Sequence, residues 1–394
     1  MNLLFYTDNK ISPTKGGTEH ATLTVAKQLH NQYGCKCWAV HTNDENTPNC
    51  DCFEKQITID KYNICNHLRQ IIIENHIDVF FSESSFDMSV VVDNIRKSNN
   101  INLQNIFVHH FSPAWESYYR ANFGPSFHTI LKSRGKEKIA ATIRCVFFPI
   151  FGTRCKKWYS TKYRNAYNAA DKVVLLTKGY IHEFMKFANL NDGNKFYAIP
   201  NALSLPDILT KDKYENEKKK VVLVVSRLEE IQKRISLVLK IWKQIYKDER
   251  AKDWKLLIAG EGDDGERYRK YVKRHNIPNI EFLGRVNPVP YYTESSIFMM
   301  TSKSEGFPLT LNEAMQYGAV PLAFDSFAAI RDIINDDKNG YIIQEKNLNE
   351  YSKKLLSLMS DNNIRHKMAM NALDSCQRYL PERIGNMWWN LINK

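Results

Sequence analysis

Apolar and polar positions along the chain alternate between two rhythms. Short, nearly continuous apolar runs recur: NLLFYT, KCWAVHT, DVFFSE, NIFVHH, KVVLLT and FYAIPNAL in the first half, then VVLVVS, WKLLIAG, IEFLG, IFMMTS and AVPLAFD in the second. Runs this short with no polar alternation read as strands covered on both faces. Between them lie stretches of helical period, the first from about Thr18 to Tyr33. Strand and helix in turn predict a parallel α/β architecture. The polar run KDKYENEKKK, 211–220, reads as a solvated loop near the start of the second series. The tail PERIGNMWWNLINK carries Ile384, Trp388 and Leu391 at helical spacing. The expectation is two doubly wound, Rossmann-like domains, 1–201 and 202–379, facing across a cleft. A terminal helix over 380–394 is expected to pack back on the first. Ligands of such sheets sit at the carboxyl ends of the strands.

Composition narrows the class. A chain of 394 residues with 43% hydrophobic and 12% aromatic content can build real cores and is not a disordered protein. Eight cysteines at this length suggest a reducing compartment, not a disulfide scaffold. Cys35 with Cys37, and Cys50 with Cys52, are C-x-C pairs. Zinc sites more often use C-x2-C, and period two in a strand puts Cys35 and Cys37 on one face, so buried or free thiols are expected and no metal. MNLLFYTDNK lacks the basic and apolar regions of a signal peptide, and no run approaches the ~20 apolar residues of a membrane span. A cytoplasmic protein is expected.

The net charge of +12 is uneven. From His128 to Arg164 there are ten basic residues (Lys132, Arg134, Lys136, Lys138, Arg144, Arg154, Lys156, Lys157, Lys162 and Arg164) against Glu137 alone. Phe147, Phe148, Ile150, Phe151, Trp158 and Tyr159 interleave them. A solvated basic helix pair, a nucleic-acid surface and an anionic-lipid patch all fit. Bulky aliphatics beside the charges favour lipid over nucleic acid. On that reading the protein docks on the inner face of the membrane, with Trp158 and Tyr159 at headgroup level.

GEGDDG, Gly260 to Gly265, spells G-x-G-x-x-G after a strand, and Glu281 follows sixteen residues on. It is a poor dinucleotide fingerprint. It follows the second strand of its series, and Glu261, Asp263 and Asp264 would repel a pyrophosphate. No NAD or flavin cofactor is expected.

SEGFPLTLNEAMQYG, Ser304 to Gly318, places Glu305 and Glu313 around the start of a helix. Pro308 suits the first turn, where a missing N–H costs nothing, and Gly318 suits the end. Free N–H groups and the dipole near Gly306 attract an anion such as phosphate. A carboxylate on either side cannot hold that phosphate but can accept from hydroxyls flanking it. Hexose, two phosphates and ribose have that layout. The plain alternative is that both acids only stabilise the helix dipole.

This stretch resembles the E-x7-E motif of the retaining GT-B glycosyltransferases of family four, glycosyl transferases group 1. The resemblance runs along most of the chain. KGGTEHATLTVAKQL resembles the family's Gly-Gly loop, HHFSP its His-x-x-Pro turn, IPNAL its hinge asparagine (here Asn201), SRLEEIQKRI its diphosphate-gripping segment and IAGEGDDGERY its Gly-x-Gly loop. Ser226 stands where the family usually has glycine before the arginine. The resemblance implies a donor site of Gly16, Gly17, Arg227, Lys233, Gly260, Gly262, Glu305, Gly306, Phe307, Pro308, Leu309 and Glu313. It implies that Glu305 contacts the donor sugar and Glu313 the ribose. His110, three before Pro113, is the better sugar contact than His109. Arg227 and Lys233 would meet the leaving diphosphate's charge, with Lys303 and Arg234 as helpers.

The resemblance implies transfer of a hexose from a nucleotide diphosphate sugar to a hydroxyl of a saccharide or lipid-linked acceptor, with retention of configuration. Surface polysaccharide or lipopolysaccharide synthesis is the expected setting. No Asp-x-Asp run marks a metal site, so the expected reaction is metal-independent. Two alternatives remain. A nucleotide-sugar epimerase of GT-B fold would need no acceptor. A nucleic-acid-binding protein would explain the charge and leave Glu305 and Glu313 without purpose.

Overall fold

In a computed structural model that describes residues 1–13, 16–43, 47–121, 127–130, 135–205 and 207–394, the chain forms two units. One comprises Met1–Ser204 with Tyr379–Lys394, the other Leu205–Arg378.

The first unit holds strands β1 (Asn2–Asn9), β2 (Lys36–Asn43), β3 (Lys55–Thr58), β4 (Val79–Glu83), β5 (Gln104–His109), β6 (Lys172–Leu175) and β7 (Phe196–Ala198). They form one parallel sheet in the order β3-β2-β1-β4-β5-β6-β7. The order reverses between β1 and β4, and there a doubly wound sheet opens a crevice at its carboxyl edge. Because helices cover both faces, successive residues of one strand serve different cores. Leu4 and Tyr6 pack with Trp38, Val40, Leu68, Ile72 and Phe80. Phe5, between them, faces the other way, stacks on Phe81 at 4.5 Å and meets Phe53 edge-on.

The C-terminal helix Pro381–Ile392 lies on this second face. Trp388 meets Phe81 edge-on at 5.8 Å and Trp389 stacks on Tyr33 at 4.4 Å. Gly385 allows that approach, since a Cβ there would come within 2.7 Å of Gln28.

The second unit holds β8 (Lys219–Val225), β9 (Lys255–Ala259), β10 (Ile280–Gly284), β11 (Ser295–Met300), β12 (Val320–Phe324) and β13 (Tyr341–Ile343). The order β10-β9-β8-β11-β12-β13 is again parallel and doubly wound, with its reversal between β8 and β11.

The run KDKYENEKKK is not a solvated loop. Residues Tyr214–Glu217 make a helical turn, and Lys219 already opens β8. Tyr214 is buried, and Lys218 Nζ donates to the carbonyls of Tyr292 and Ser295. An aromatic ring and a long aliphatic stem let a charged run enter a core that its polarity hides. Among the described residues no helix is long and apolar enough to cross a membrane.

Candidate functional site

The segments that follow β8 and β11 meet at the reversal of the second sheet. After β8 the chain runs through Ser226 and Arg227 into a single helical turn, Glu230–Lys233. Glu229 caps it, accepting from the N–H groups of Ile231 and Gln232. Arg234 then takes a left-handed conformation, φ 52°, and separates this turn from the helix Ile235–Ile245. A non-glycine residue there costs about 1–2 kcal/mol. Its guanidinium offsets the strain by donating to the carbonyls of Thr301 and Ser302, to Ser326 Oγ and to Glu345. Arg234 is therefore a buried staple between the two segments, with its donors directed at the protein; it is not placed as a phosphate helper.

The staple brings Lys233 against Glu305. Lys233 Nζ lies 2.5 Å from Glu305 Oε1, with side chains 16% and 11% exposed. Gln232 bridges the same place. Its amide donates to the Ser304 carbonyl at 2.9 Å and reaches Glu305 Oε2 at 3.5 Å, while its oxygen accepts from Arg227 Nη2 at 2.9 Å. The backbone follows, with Lys303 N–H donating to the Gln232 carbonyl and Thr301 Oγ1 to that of Lys233. Arg227, Lys233 and Glu305 are thus linked directly or through Gln232. Lys303 lies next in the chain to the loop that carries Glu305.

The helix after Glu305 spans Leu309–Gln316. Pro308 is its cap residue, one position earlier than the sequence suggested, with an extended ψ of 98°. Phe307 and Pro308 are buried and anchor the loop, while Gly306 and Leu309 stay partly exposed. Leu311, Ala314 and Met315 face the core. At the far end Gly318 adopts φ 74°. Its N–H donates to Met315, and Ala319 N–H donates to Ala314, so the last carbonyls are satisfied. Glu313 stands on the partly exposed face, where Oε2 accepts from Tyr292 OH at 2.7 Å. Burial and then the Glu313 charge push the Tyr292 phenol well above its usual 10, so it stays a donor.

GEGDDG closes against this site through its glycines. Gly260 has φ 132° and Gly262 φ 158°, and a Cβ would fall 1.9 Å from the Ser226 carbonyl and 2.6 Å from that of Leu228. The Leu228 N–H donates to Glu261 O, and buried Asp264 accepts from the Glu230 N–H. The motif is a close backbone approach that fixes the Arg227 segment.

In the first unit, Gly16 caps the helix Gly17–Tyr33 with an ordinary φ of −64°. Both Gly16 and Gly17 are exposed. At the end of β5 the two histidines separate. His109 is fully buried among Phe86, Phe107 and Phe184, with Nε2 3.0 Å from Tyr163 OH. Burial, and then His110, pull its imidazole down to about 3. His110 instead lies beside the reversal of the sheet. Its Nε2 donates to Glu83 Oε2 at 2.5 Å, Glu83 being the last residue of β4. Ser84, left-handed at φ 60°, accepts the His110 backbone N–H on its hydroxyl.

The basic segment forms the helices Gly135–Val146 and Phe148–Ala169. Ile139, Ile143, Val146, Phe147, Ile150, Phe151 and Trp158 are exposed along them. Beside them Lys136, Lys138, Arg154, Lys156 and Lys157 are exposed. Tyr159 is buried, not superficial, and meets the exposed Trp158 ring edge-on at 4.7 Å. Lys162 pairs with the exposed Asp87 and lies over the Trp158 ring, and Arg164 donates to the Ala188 carbonyl, so both are already engaged by the protein. Lys132 and Arg134 lie outside the described residues, as does the Arg144 side chain.

Residues 207–374, nearly the whole second unit, match the family profile of glycosyl transferases group 1. The second unit is thus similar to that family. It is 30% identical over 235 residues to the amylovoran biosynthesis glycosyltransferase AmsD of Erwinia amylovora, a match spanning 58% of this chain and 63% of that one. The apo lipopolysaccharide outer core galactosyltransferase WaaB superposes with a TM-score of 0.69 at 17% identity, over 100% of this chain and 99% of that one. Anabaena Alr3699/HepE in complex with UDP gives 0.72 at 15% identity, over 100% of both. The fold is the GT-B fold, two Rossmann-like domains.

Three residues that join these clusters escaped the sequence reading: Gln232, Tyr292 and Glu83. Gln232 adjoins the recognised Lys233 and could have been found from that spacing. Tyr292 and Glu83 lie 21 and 27 residues from their partners, and only the sheet topology brings each pair together.

Proposed function

We propose that the protein is a retaining hexosyltransferase that moves a sugar from a nucleotide diphosphate to a hydroxyl of a saccharide or lipid-linked acceptor, in surface polysaccharide or lipopolysaccharide synthesis. One observation carries this reading. Glu305 and Glu313 stand before and within one helix start, and the cations Lys233 and Arg227 converge on the same edge of the sheet. Glu305 would accept from hexose hydroxyls and Glu313 from the ribose. Arg227, Lys233 and the backbone from Gly306 to Leu309 would meet the diphosphate, with the Gly260–Gly262 loop shaping the site. The unit Leu205–Arg378 would take the donor. The unit Met1–Ser204 would take the acceptor, His110 contacting a sugar hydroxyl.

In the step proposed, the bond from the anomeric carbon to the leaving phosphate oxygen breaks and the acceptor oxygen bonds to that carbon on the same face. The acceptor proton passes to the departing phosphate. Charge on the diphosphate would be stabilised by Lys233 and Arg227, and we expect no divalent metal to be needed. The exposed cations and aliphatics of the helices Gly135–Val146 and Phe148–Ala169 support docking on an anionic membrane surface, where lipid-linked acceptors reside. The relatives' names favour a transferase over an epimerase. The test is incubation with a panel of nucleotide diphosphate sugars plus EDTA, followed by mass spectrometry. Release of one nucleoside diphosphate supports the reading. Activity lost in EDTA and restored by magnesium or manganese overturns metal independence. An altered free sugar favours the epimerase.

A further inference from the structure

The ammonium of Lys233 and the carboxylate of Glu305 satisfy each other at 2.5 Å. Their charges sum to zero where the proposed donor would place two phosphates. The Lys233 backbone cannot drift to resolve this. Its carbonyl accepts from Thr301 Oγ1, and the residue after it is the stapled, left-handed Arg234. Only the two side chains can part. Gln232 stands between Arg227 and Glu305, so the carboxylate's movement reaches the second cation as well.

We propose that Glu305 is an internal competitor for Lys233, one that makes the site hold an intact nucleotide sugar and reject a nucleoside diphosphate that has lost its sugar. This rests on the donor reading above. A diphosphate reaching Lys233 must break the ion pair and stand beside the displaced carboxylate, with like charges repelling at close range. When the sugar is present, its hydroxyls donate to Glu305 and offset the lost pair. Once the sugar has been transferred that compensation is gone. The carboxylate returns to Lys233, and the diphosphate leaves. Glu305 thus discriminates donor from product, in addition to touching the sugar. The ligand can shift the pair only by its differential affinity for the paired and parted states.

The inference predicts an affinity change opposite in sign to simple loss of a binding residue. UDP, GDP, ADP and dTDP are titrated calorimetrically into wild-type protein, Glu305→Gln and Lys233→Met. The diphosphate that binds wild type should bind Glu305→Gln about tenfold more tightly, the equivalent of about 1.4 kcal/mol. It should bind Lys233→Met more weakly. Glu305→Ala, with a thermal melt of each variant to show a cooperative fold, is the second test and should also tighten binding. Equal or weaker binding by folded Glu305→Gln and Glu305→Ala overturns the competitor role while leaving the donor site standing. If no nucleoside diphosphate binds wild type or any variant, the donor reading itself fails and the competitor role with it.

Discussion

Replacing Glu305 by glutamine keeps the side chain's shape and removes its charge, leaving Lys233 without its carboxylate partner. The pair is neither fully exposed nor sealed, at 16% and 11% side-chain exposure. Exposed pairs contribute about 0–1 kcal/mol, whereas breaking a buried pair costs about 3–5. A charge-assisted hydrogen bond of intermediate burial falls at about 1.5–3 kcal/mol. The unit concerned, Leu205–Arg378, is of a size at which each kcal/mol shifts Tm by about 2–4 °C. Glu305→Gln should therefore lower the melting temperature of that unit by about 3–12 °C, read by calorimetry without ligand. Adding Lys233→Met to Glu305→Gln should cost little more, because the two residues form one unit of interaction. Raising salt should change the difference only slightly, since a partly buried pair is poorly screened. A Glu305→Gln protein that melts within about 1 °C of wild type would show that the pair is not formed in solution.

Three other outcomes are expected. His109 is held down at about 3 by burial, so between there and its usual 6.5 the unfolded chain binds a proton that the folded chain refuses. Stability should fall as pH drops from about 6.5 toward 3, and His109→Gln should flatten that part of the urea-measured profile; an unchanged profile contradicts the burial argument. Tyr292→Phe removes the donor at 2.7 Å from Glu313 and should weaken donor binding by about 1 kcal/mol with turnover little changed; unaltered affinity would detach Tyr292 from the site. The protein should sediment with anionic liposomes at low salt and less at high salt, and Lys156→Glu with Lys157→Glu should reduce it; equal binding to neutral and anionic vesicles, or none, would leave the basic segment a solvated face.

The sheets were legible because their strands are buried on both faces, so Val79–Phe81 and Ile297–Met300 stand out as unbroken apolar runs. The loop and helix around Glu305 were legible because Glu305, Pro308, Glu313 and Gly318 lie close together along one short stretch, where spacing in sequence is spacing in space. Partners from distant elements were not. Glu83 ends a buried strand and looks like a strand terminus, until β5 is set beside β4 and His110 reaches it. Arg234 was read as a helper cation because left-handed backbone and four protein acceptors leave no mark on composition. The charged run around Tyr214 misled for the opposite reason: its lysines and glutamates conceal one aromatic ring and one aliphatic stem that enter the core.

The central claim is that Glu305 and Glu313 serve different parts of one nucleotide sugar. Steady-state kinetics of Glu305→Gln and Glu313→Ala, with the donor that wild type turns over, tests it most directly. Glu305→Gln should lower kcat, because its partner is the sugar that becomes cationic. Glu313→Ala should raise the donor KM by the equivalent of about 1–3 kcal/mol with kcat largely kept. Wild-type rates and affinities in both variants would contradict the assignment of the site.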